Sequence, residues 1–316
     1  MIKLVSDTID RQDIDALVDW LQQDPIPRLT KGELTIQLEE KWAKKIGTKY
    51  SVFVNSGSSS ILLTLAALKE SGKLKNNKIV VPALSWATDV SSPMLLGYDV
   101  SMCDCNLQDL SCDLESLETK FKEDVPAVLI LVSPLGLVPN MDKVIELCDK
   151  YDVILLEDVC ESMGSKYNDK YLGSFGFASF FSMYFGHHLS TIEGGFINTN
   201  DEEFYHMLLM MRSHGWDRDL PNNLTLKENV SDYVSSFAIP IVHPRRDDIV
   251  KDLMDANIEV RPLIAGNMAN KPMWKGSTAN LKNCELVNRY GFYIPNHQDL
   301  TNDNINQITR IINRYE

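Results

Sequence analysis

Two adjacent imidazoles, His187 and His188, stand in the segment Phe185-Gly186-His187-His188-Leu189-Ser190-Thr191-Ile192-Glu193-Gly194-Gly195. An imidazole takes up and releases protons near neutral pH, so the pair is a candidate acid–base centre. Neighbouring side chains point different ways, which leaves one of the two for chemistry. Surface or capping roles are the alternative, and the spacing matches no HExxH-type metal motif, so zinc is disfavoured. Asp158 closes the apolar run Val153-Ile154-Leu155-Leu156-Glu157-Asp158. A carboxylate there can keep a heterocyclic nitrogen protonated, or simply cap the next helix. Asn55-Ser56-Gly57-Ser58-Ser59-Ser60 joins a strand pattern to a helix pattern. Amides at a helix N-terminus bind phosphate, and Gly57 permits close approach, although serines there also serve as plain caps. Trp86 can stack on a flat ring or fill a core. Cys103-Asp104-Cys105, with Cys112 beyond, invites an iron–sulfur reading. Against it, Cys148, Cys160 and Cys284 supply no fourth ligand in a matching motif.

These residues need a scaffold. Short apolar runs alternate with helical patterns through the first two-thirds of the chain. Strands are expected at Tyr50–Val54, Lys78–Val81, Ala127–Val132, Val153–Asp158 and Ala178–Ser182. Helices are expected at Ser58–Leu68 and Met141–Tyr151. Val100–Cys105 reads as a buried strand, where a free cysteine is an ordinary small apolar residue. Fully apolar strands separated by helices imply a mostly parallel sheet covered on both faces, in an α/β domain. Ligands in such sheets sit at the carboxyl ends of the strands. After about Trp216 the pattern changes. Phe237–Val242, a helix over Asp247–Ala256 and a terminal helix over Asn302–Tyr315 suggest a smaller α+β domain. The expected division is a large domain over 25–215 and a small one over 216–316, with 1–24 packing near the latter.

The chain has 316 residues, 44% hydrophobic and 24% charged, with a formal net charge of -13. Such an acidic chain is a poor partner for nucleic acid, although a few local arginines can still neutralise a diphosphate. The start reads as an amphipathic helix rather than a signal peptide, and no apolar stretch approaches bilayer length. Six cysteines in a chain of this size fit a reducing compartment. A cytoplasmic protein without a membrane partner is expected.

Taken together and in this order, the motifs resemble the DegT-type family of sugar-nucleotide aminotransferases. The resemblance implies the type I fold of pyridoxal-phosphate-dependent transferases (aspartate aminotransferase-like). It assigns the phosphate loop to Ser56, Gly57 and Ser58, the ring-stacking aromatic to Trp86, the pyridinium partner to Asp158 and a phosphate-binding serine to Ser182. Glu161 falls where most members carry glutamine, near the ring hydroxyl. Leu29-Thr30-Lys31-Gly32-Glu33 resembles the N-terminal substrate loop, and Arg212-Ser213-His214-Gly215 another signature beside the site. Lys31, His214, Arg218 and Arg261 are the implied substrate-binding residues. His187 aligns with the lysine that would hold pyridoxal phosphate covalently. No lysine occurs between Lys170 and Lys227.

Histidine at that position, with Glu161 and Arg261-Pro262-Leu263-Ile264-Ala265-Gly266-Asn267, is similar to the 3-dehydratase branch of the family, which serves deoxysugar biosynthesis for lipopolysaccharide O-antigen. That branch implies a non-covalent cofactor, working as pyridoxamine phosphate and regenerated from pyridoxal phosphate by an amino donor such as glutamate. It also implies a nucleotide-linked 4-keto-6-deoxyhexose substrate, GDP-linked by preference. His187, Asp158 and Glu161 become the catalytic candidates and the assembly a homodimer. Between Leu220 and Tyr233 the chain is shorter than the family pattern, which carries there a loop that helps the neighbouring subunit close over the cofactor phosphate. Three other readings stand beside this one. The first is a sugar 4-aminotransferase working without its lysine. The second is a non-catalytic paralogue that binds nucleotide sugar or cofactor. The third, an iron–sulfur relative acting on a CDP-sugar, stands last, because only Cys284 follows the histidine segment.

Overall fold

The computed structural model describes residues 8–214, 238–263, 267–270, 281–296 and 300–315. The chain divides into two compact units, Met1–Arg212 and Ser213–Glu316. In the first unit the elements run α1 (Arg11–Leu21), α2 (Glu33–Ile46), β1 (Tyr50–Val54), α3 (Gly57–Glu70), β2 (Lys78–Pro82), α4 (Ala87–Leu95), β3 (Asp99–Cys103), α5 (Leu114–Glu123) and β4 (Val128–Val132). They continue through α6 (Met141–Tyr151), β5 (Ile154–Asp158), the hairpin of β6 (Lys166–Tyr167) and β7 (Lys170–Tyr171), β8 (Ala178–Ser182), β9 (Gly195–Thr199) and α7 (Glu202–Arg212).

A seven-stranded sheet of order β1-β9-β8-β5-β4-β2-β3 forms the centre of this unit. Neighbouring strands from β8 to β3 are parallel, and only β9 runs antiparallel to its neighbours β1 and β8. Successive side chains of a strand face opposite ways, and β4 shows the consequence. Val128, Ile130 and Val132 enter one core with Ile61, Leu65 and Phe180. Leu129 and Leu131 enter the other with Trp42, Phe121 and Phe181. A sheet with two packed faces is why these strands read as unbroken apolar runs. The expected mostly parallel α/β sheet is what forms.

The strand read as buried over Val100–Cys105 differs. β3 spans Asp99–Cys103 at the sheet edge, and of its residues only Cys103 is buried. An edge strand has one neighbour and little cover, so its side chains meet solvent. Cys103 and Cys112 are free buried thiols with sulfurs 3.3 Å apart.

In the second unit β10 (Ala238–Val242), β12 (Gly291–Pro295) and β11 (Arg261–Pro262) form an antiparallel sheet. Helices α8 (Arg246–Asp255), α9 (Lys282–Tyr290) and α10 (Asn302–Ile312) complete it, with Ile249, Leu253, Phe292 and Ile308 in its core. No helix among the described residues is long and apolar enough to cross a membrane.

Candidate active site

A cavity of about 710 Å³ opens in the first unit, lined by Ser56, Gly57, Ser58, Trp86, Asp158, Glu161, Ser182 and His187 among others. The topology gathers them. β1, β2, β4, β5 and β8 end on the same side of the sheet, and residues at or just after each end supply most of the lining. This is the carboxyl edge where parallel sheets hold ligands.

Ser56 is the N-cap of α3, its Oγ accepting the Ser59 N–H at 3.0 Å. Capping and a phosphate-binding role are therefore compatible, since one cap leaves other first-turn amides without helical partners. Gly57 fits because nothing larger can. A Cβ there would stand 2.9 Å from Cys160 Sγ and 2.9 Å from Ser182 Cβ. Ser58 Oγ lies 3.3 Å from Thr88 Oγ1, across to α4. Trp86 precedes α4 with 66% of its surface exposed, so the core-tryptophan alternative fails and a flat face is left at the cavity.

Asp158 ends β5 and is buried. Its Oδ1 accepts the Cys160 N–H at 2.9 Å. Burial and the Asp158 charge push the Cys160 thiol far up, so it stays neutral. The residue before Asp158, Glu157, turns to the other side of the strand, where it accepts the N–H groups of Gly173, Phe175 and Gly176 at 2.7, 2.7 and 2.6 Å. That clamp anchors the strand from which Asp158 projects. Glu161 Oε2 accepts the Leu135 N–H at 3.0 Å. Leu135 holds a left-handed backbone at φ 54°. A non-glycine residue rarely sits there without a compensating contact, and the Glu161 carboxylate supplies one.

His187 lies on the excursion between β8 and β9. The Met183 N–H donates to the Gly194 carbonyl at 2.8 Å, and the Thr191 N–H to the Met183 carbonyl at 3.2 Å, closing the base of the loop. The His187 N–H donates to the Tyr184 carbonyl at 3.0 Å, and its ring meets the edge of Tyr184. Gly195 is required beneath, because a Cβ would come within 2.4 Å of the Ser56 carbonyl oxygen. His188 is exposed and does not line the cavity, as expected for one member of an adjacent pair. Burial lowers the pKa of His187 from its ordinary value, and the charges of Glu161 and Asp158 oppose that shift. The net direction leaves a neutral imidazole at pH 7, ready to accept a proton. No lysine is among the lining residues described.

Lys31, half-buried before α2, does not line the cavity. His214 and Arg261 belong to the second unit, where the Arg261 guanidinium engages Glu259 at 2.6 Å. Arg218 and the shortened stretch 220–232 lie outside the described residues. The structure adds lining residues that the motifs did not single out, including Tyr184, Thr88, Ser133 and Glu193. Leu135 also belongs here, and Pro134-Leu135-Gly136, a turn signal directly after a buried strand, was its sequence mark.

The cavity fits a phosphorylated pyridine. It offers a glycine-floored helix N-terminus, a buried strand-end carboxylate and an exposed aromatic plane. The chain is 29% identical over 388 aligned positions to GDP-4-keto-6-deoxy-D-mannose 3-dehydratase of Yersinia pseudotuberculosis, covering 98% of each chain. An alignment of that length exceeds the 316 residues present, so dozens of that relative's residues have no counterpart here. The enzyme of the same name from Escherichia coli O55:H7 is 41% identical over 213 residues, 66% of this chain and 55% of that one. Among solved structures, GDP-4-keto-6-deoxymannose-3-dehydratase with a trapped PLP–glutamate geminal diamine superposes with a TM-score of 0.64 at 28% identity, covering 98% of this chain and 100% of that one. Residues 7–227 match the DegT/DnrJ/EryC1/StrS aminotransferase family, and the chain belongs to it.

Proposed function

We propose that the chain is a cofactor-dependent 3-dehydratase that removes the C3 hydroxyl of a GDP-linked 4-keto-6-deoxyhexose, with His187 as its acid and base. The observation that carries the reading is a half-buried imidazole beside Asp158 and Glu161 in a cavity with no lysine among its described lining residues. Pyridoxamine phosphate, when bound, supplies the amine that condenses with the C4 ketone and a ring that takes up the developing negative charge.

The protein residues divide the remaining work. Ser56, Gly57, Ser58 and Ser182 would hold the phosphate, Trp86 would cover one ring face, Glu161 would stand near the ring hydroxyl, and Asp158 would keep the ring nitrogen protonated. His187, neutral at rest, would remove a proton from the cofactor's exocyclic carbon. It would then return that proton to the departing C3 oxygen, which leaves as water. A histidine can do both without forming the covalent link that a lysine would. With glutamate as amino donor the reaction balances. The sugar loses one oxygen, glutamate becomes 2-oxoglutarate, and ammonia is released.

Lys31, His214, Arg218 and Arg261 are proposed to contact the nucleotide sugar, and the proposed assembly is a cytoplasmic homodimer. Apolar side chains on the cavity rim, Leu84 at 45% and Leu135 at 74% exposure, support a partner surface there. The test is incubation of the chain with pyridoxal phosphate, glutamate and GDP-4-keto-6-deoxymannose, followed by mass spectrometry of the sugar nucleotide. A dehydratase yields a product lighter by one oxygen and free ammonia. An aminotransferase keeps the C3 oxygen and leaves the nitrogen on the sugar, and a non-catalytic relative returns the substrate unchanged.

A further inference from the structure

Asp89, in the first turn of α4, is fully buried and has no part in the chemistry above. Its Oδ2 accepts the Trp86 N–H at 3.2 Å. Its Oδ1 meets no donor among the described residues. Its near neighbour is the Asp158 carboxyl group, whose charge acts directly on it. Two ionised carboxylates in contact offer only acceptors to each other and repel; a proton on one of them turns the contact into a strong hydrogen bond.

The surroundings settle where that proton resides. The charged groups acting on Asp89 are Asp158 and Glu161, both acids. Asp158 is the more anchored member. It accepts the Cys160 N–H, it meets the neutral Cys160 thiol, and it lies within electrostatic reach of His187. Asp158 also lines the cavity, whereas Asp89 sits behind it without exposure.

We propose that Asp89 is a positioning residue that keeps its proton at neutral pH and donates it to Asp158, fixing the carboxylate that faces the cofactor ring and holding the pair at a single negative charge. Burial and the neighbouring carboxylates act in the same direction and push Asp89 up to about 10. With a protonated ring nitrogen bound at the cavity, Asp158 would stand between two donors. A residue that merely caps α4 would need only to accept the Trp86 N–H and would have no reason to hold a proton.

The role toward the ring rests on the cofactor reading above; the proton on Asp89 does not. The sign of its effect on stability is definite. The folded chain holds this proton from the ordinary carboxylate range up to about pH 10, and the unfolded chain does not, so stability falls as pH rises through that window. Urea unfolding of the full wild-type chain and of Asp89→Asn, without cofactor, between about pH 6 and about pH 9 reads this directly. The wild-type unfolding constant is expected to rise relative to the variant's by about tenfold per pH unit. Titration with pyridoxal phosphate gives the second readout. Asparagine still donates to Asp158 and accepts from Trp86, so its affinity should stay within about threefold of wild type. Asp89→Ala removes a hydrogen bond to a charged group and should weaken binding by about tenfold or more. Parallel pH profiles for wild type and asparagine variant would overturn the proposal even if the alanine variant does not fold. So would an alanine variant with wild-type affinity. Neither readout uses a sugar substrate, so a failure to deoxygenate leaves both intact.

Discussion

Gly57→Ala is the sharpest test of how the fold shapes the cofactor floor. The added methyl would stand 2.9 Å from Cys160 Sγ and 2.9 Å from Ser182 Cβ, whereas ordinary contacts between such atoms lie at roughly 3.5–4.0 Å. Ser182 Cβ is one bond from the main chain, so no side-chain rotation relieves the clash. The end of β8 and the first turn of α3 must separate by about 0.6–1.1 Å. Overpacking of this kind costs about 1–3 kcal/mol. Alanine returns up to about 1 kcal/mol of helix propensity at an interior position and less near the N-terminus. The net loss of stability is about 0–3 kcal/mol, which the domain should survive. The site should not fare as well. A misplacement of about 1 Å in a positioning element can cost about a hundredfold in rate. Fluorescence titration with pyridoxal phosphate and thermal melting of the same samples separate the two effects. Gly72→Ala is the control, because its φ of 70° makes alanine strained while nothing lies within 4 Å of the new methyl. It should lose about 1–2 kcal/mol of stability and keep wild-type affinity. If Gly57→Ala binds cofactor and turns over like wild type, the close approach of α3 to Ser182 and Cys160 does not shape the site.

Other consequences can be checked alongside. His187→Asn should bind the cofactor with near-wild-type affinity yet lose about 10²–10⁴ in turnover, as expected for removal of a general acid–base. His187→Lys should retain the cofactor through dialysis with a shifted absorbance band; free-cofactor absorbance alone would mean that position 187 does not face the reactive carbon. Because burial lowers the His187 pKa, the acid limb of kcat/KM against pH should fall below the ordinary histidine value. Glu161→Gln removes a charge that favours the imidazolium, so it should move that limb further down; an upward move would contradict the electrostatics. The Arg212 guanidinium is 12% exposed and pairs with Glu39, which accepts the Phe53 N–H at 2.8 Å, while Arg212 donates to the Phe53 carbonyl at 2.7 Å. Glu39→Ala should cost about 3–5 kcal/mol in urea unfolding by leaving that charge uncompensated.

Much of the sheet was legible because its strands bury both faces. Tyr50–Val54 and Ala178–Ser182 appear with the expected limits, and Met141–Tyr151 is the helix its apolar spacing required. β9 was not legible. Gly195-Phe196-Ile197-Asn198-Thr199 begins on a glycine and ends polar, and its antiparallel place between β1 and β8 depends on partners 147 residues apart, as in the bond from Ser51 to Asn198. β3 misled because a short run carrying Val100, Met102 and Cys103 does not reveal that it lies at an edge. At the site, His187 stood out through its chemical type at one position. Asp89 did not, because an acid in the first turn of a helix is ordinary until Asp158 is seen against it. Pro134-Leu135-Gly136 marked a turn, but the left-handed backbone of Leu135 was hidden, since the carboxylate that satisfies it comes from a separate strand end.

The most direct measurement follows the C3 oxygen itself. GDP-4-keto-6-deoxymannose carrying a heavy-oxygen label at C3 would be turned over with glutamate by wild type and by His187→Asn. If His187 drives deoxygenation, the wild-type sugar loses the label to water while the variant's sugar keeps it. Label retained in a wild-type product that has gained nitrogen at C4 would contradict the account.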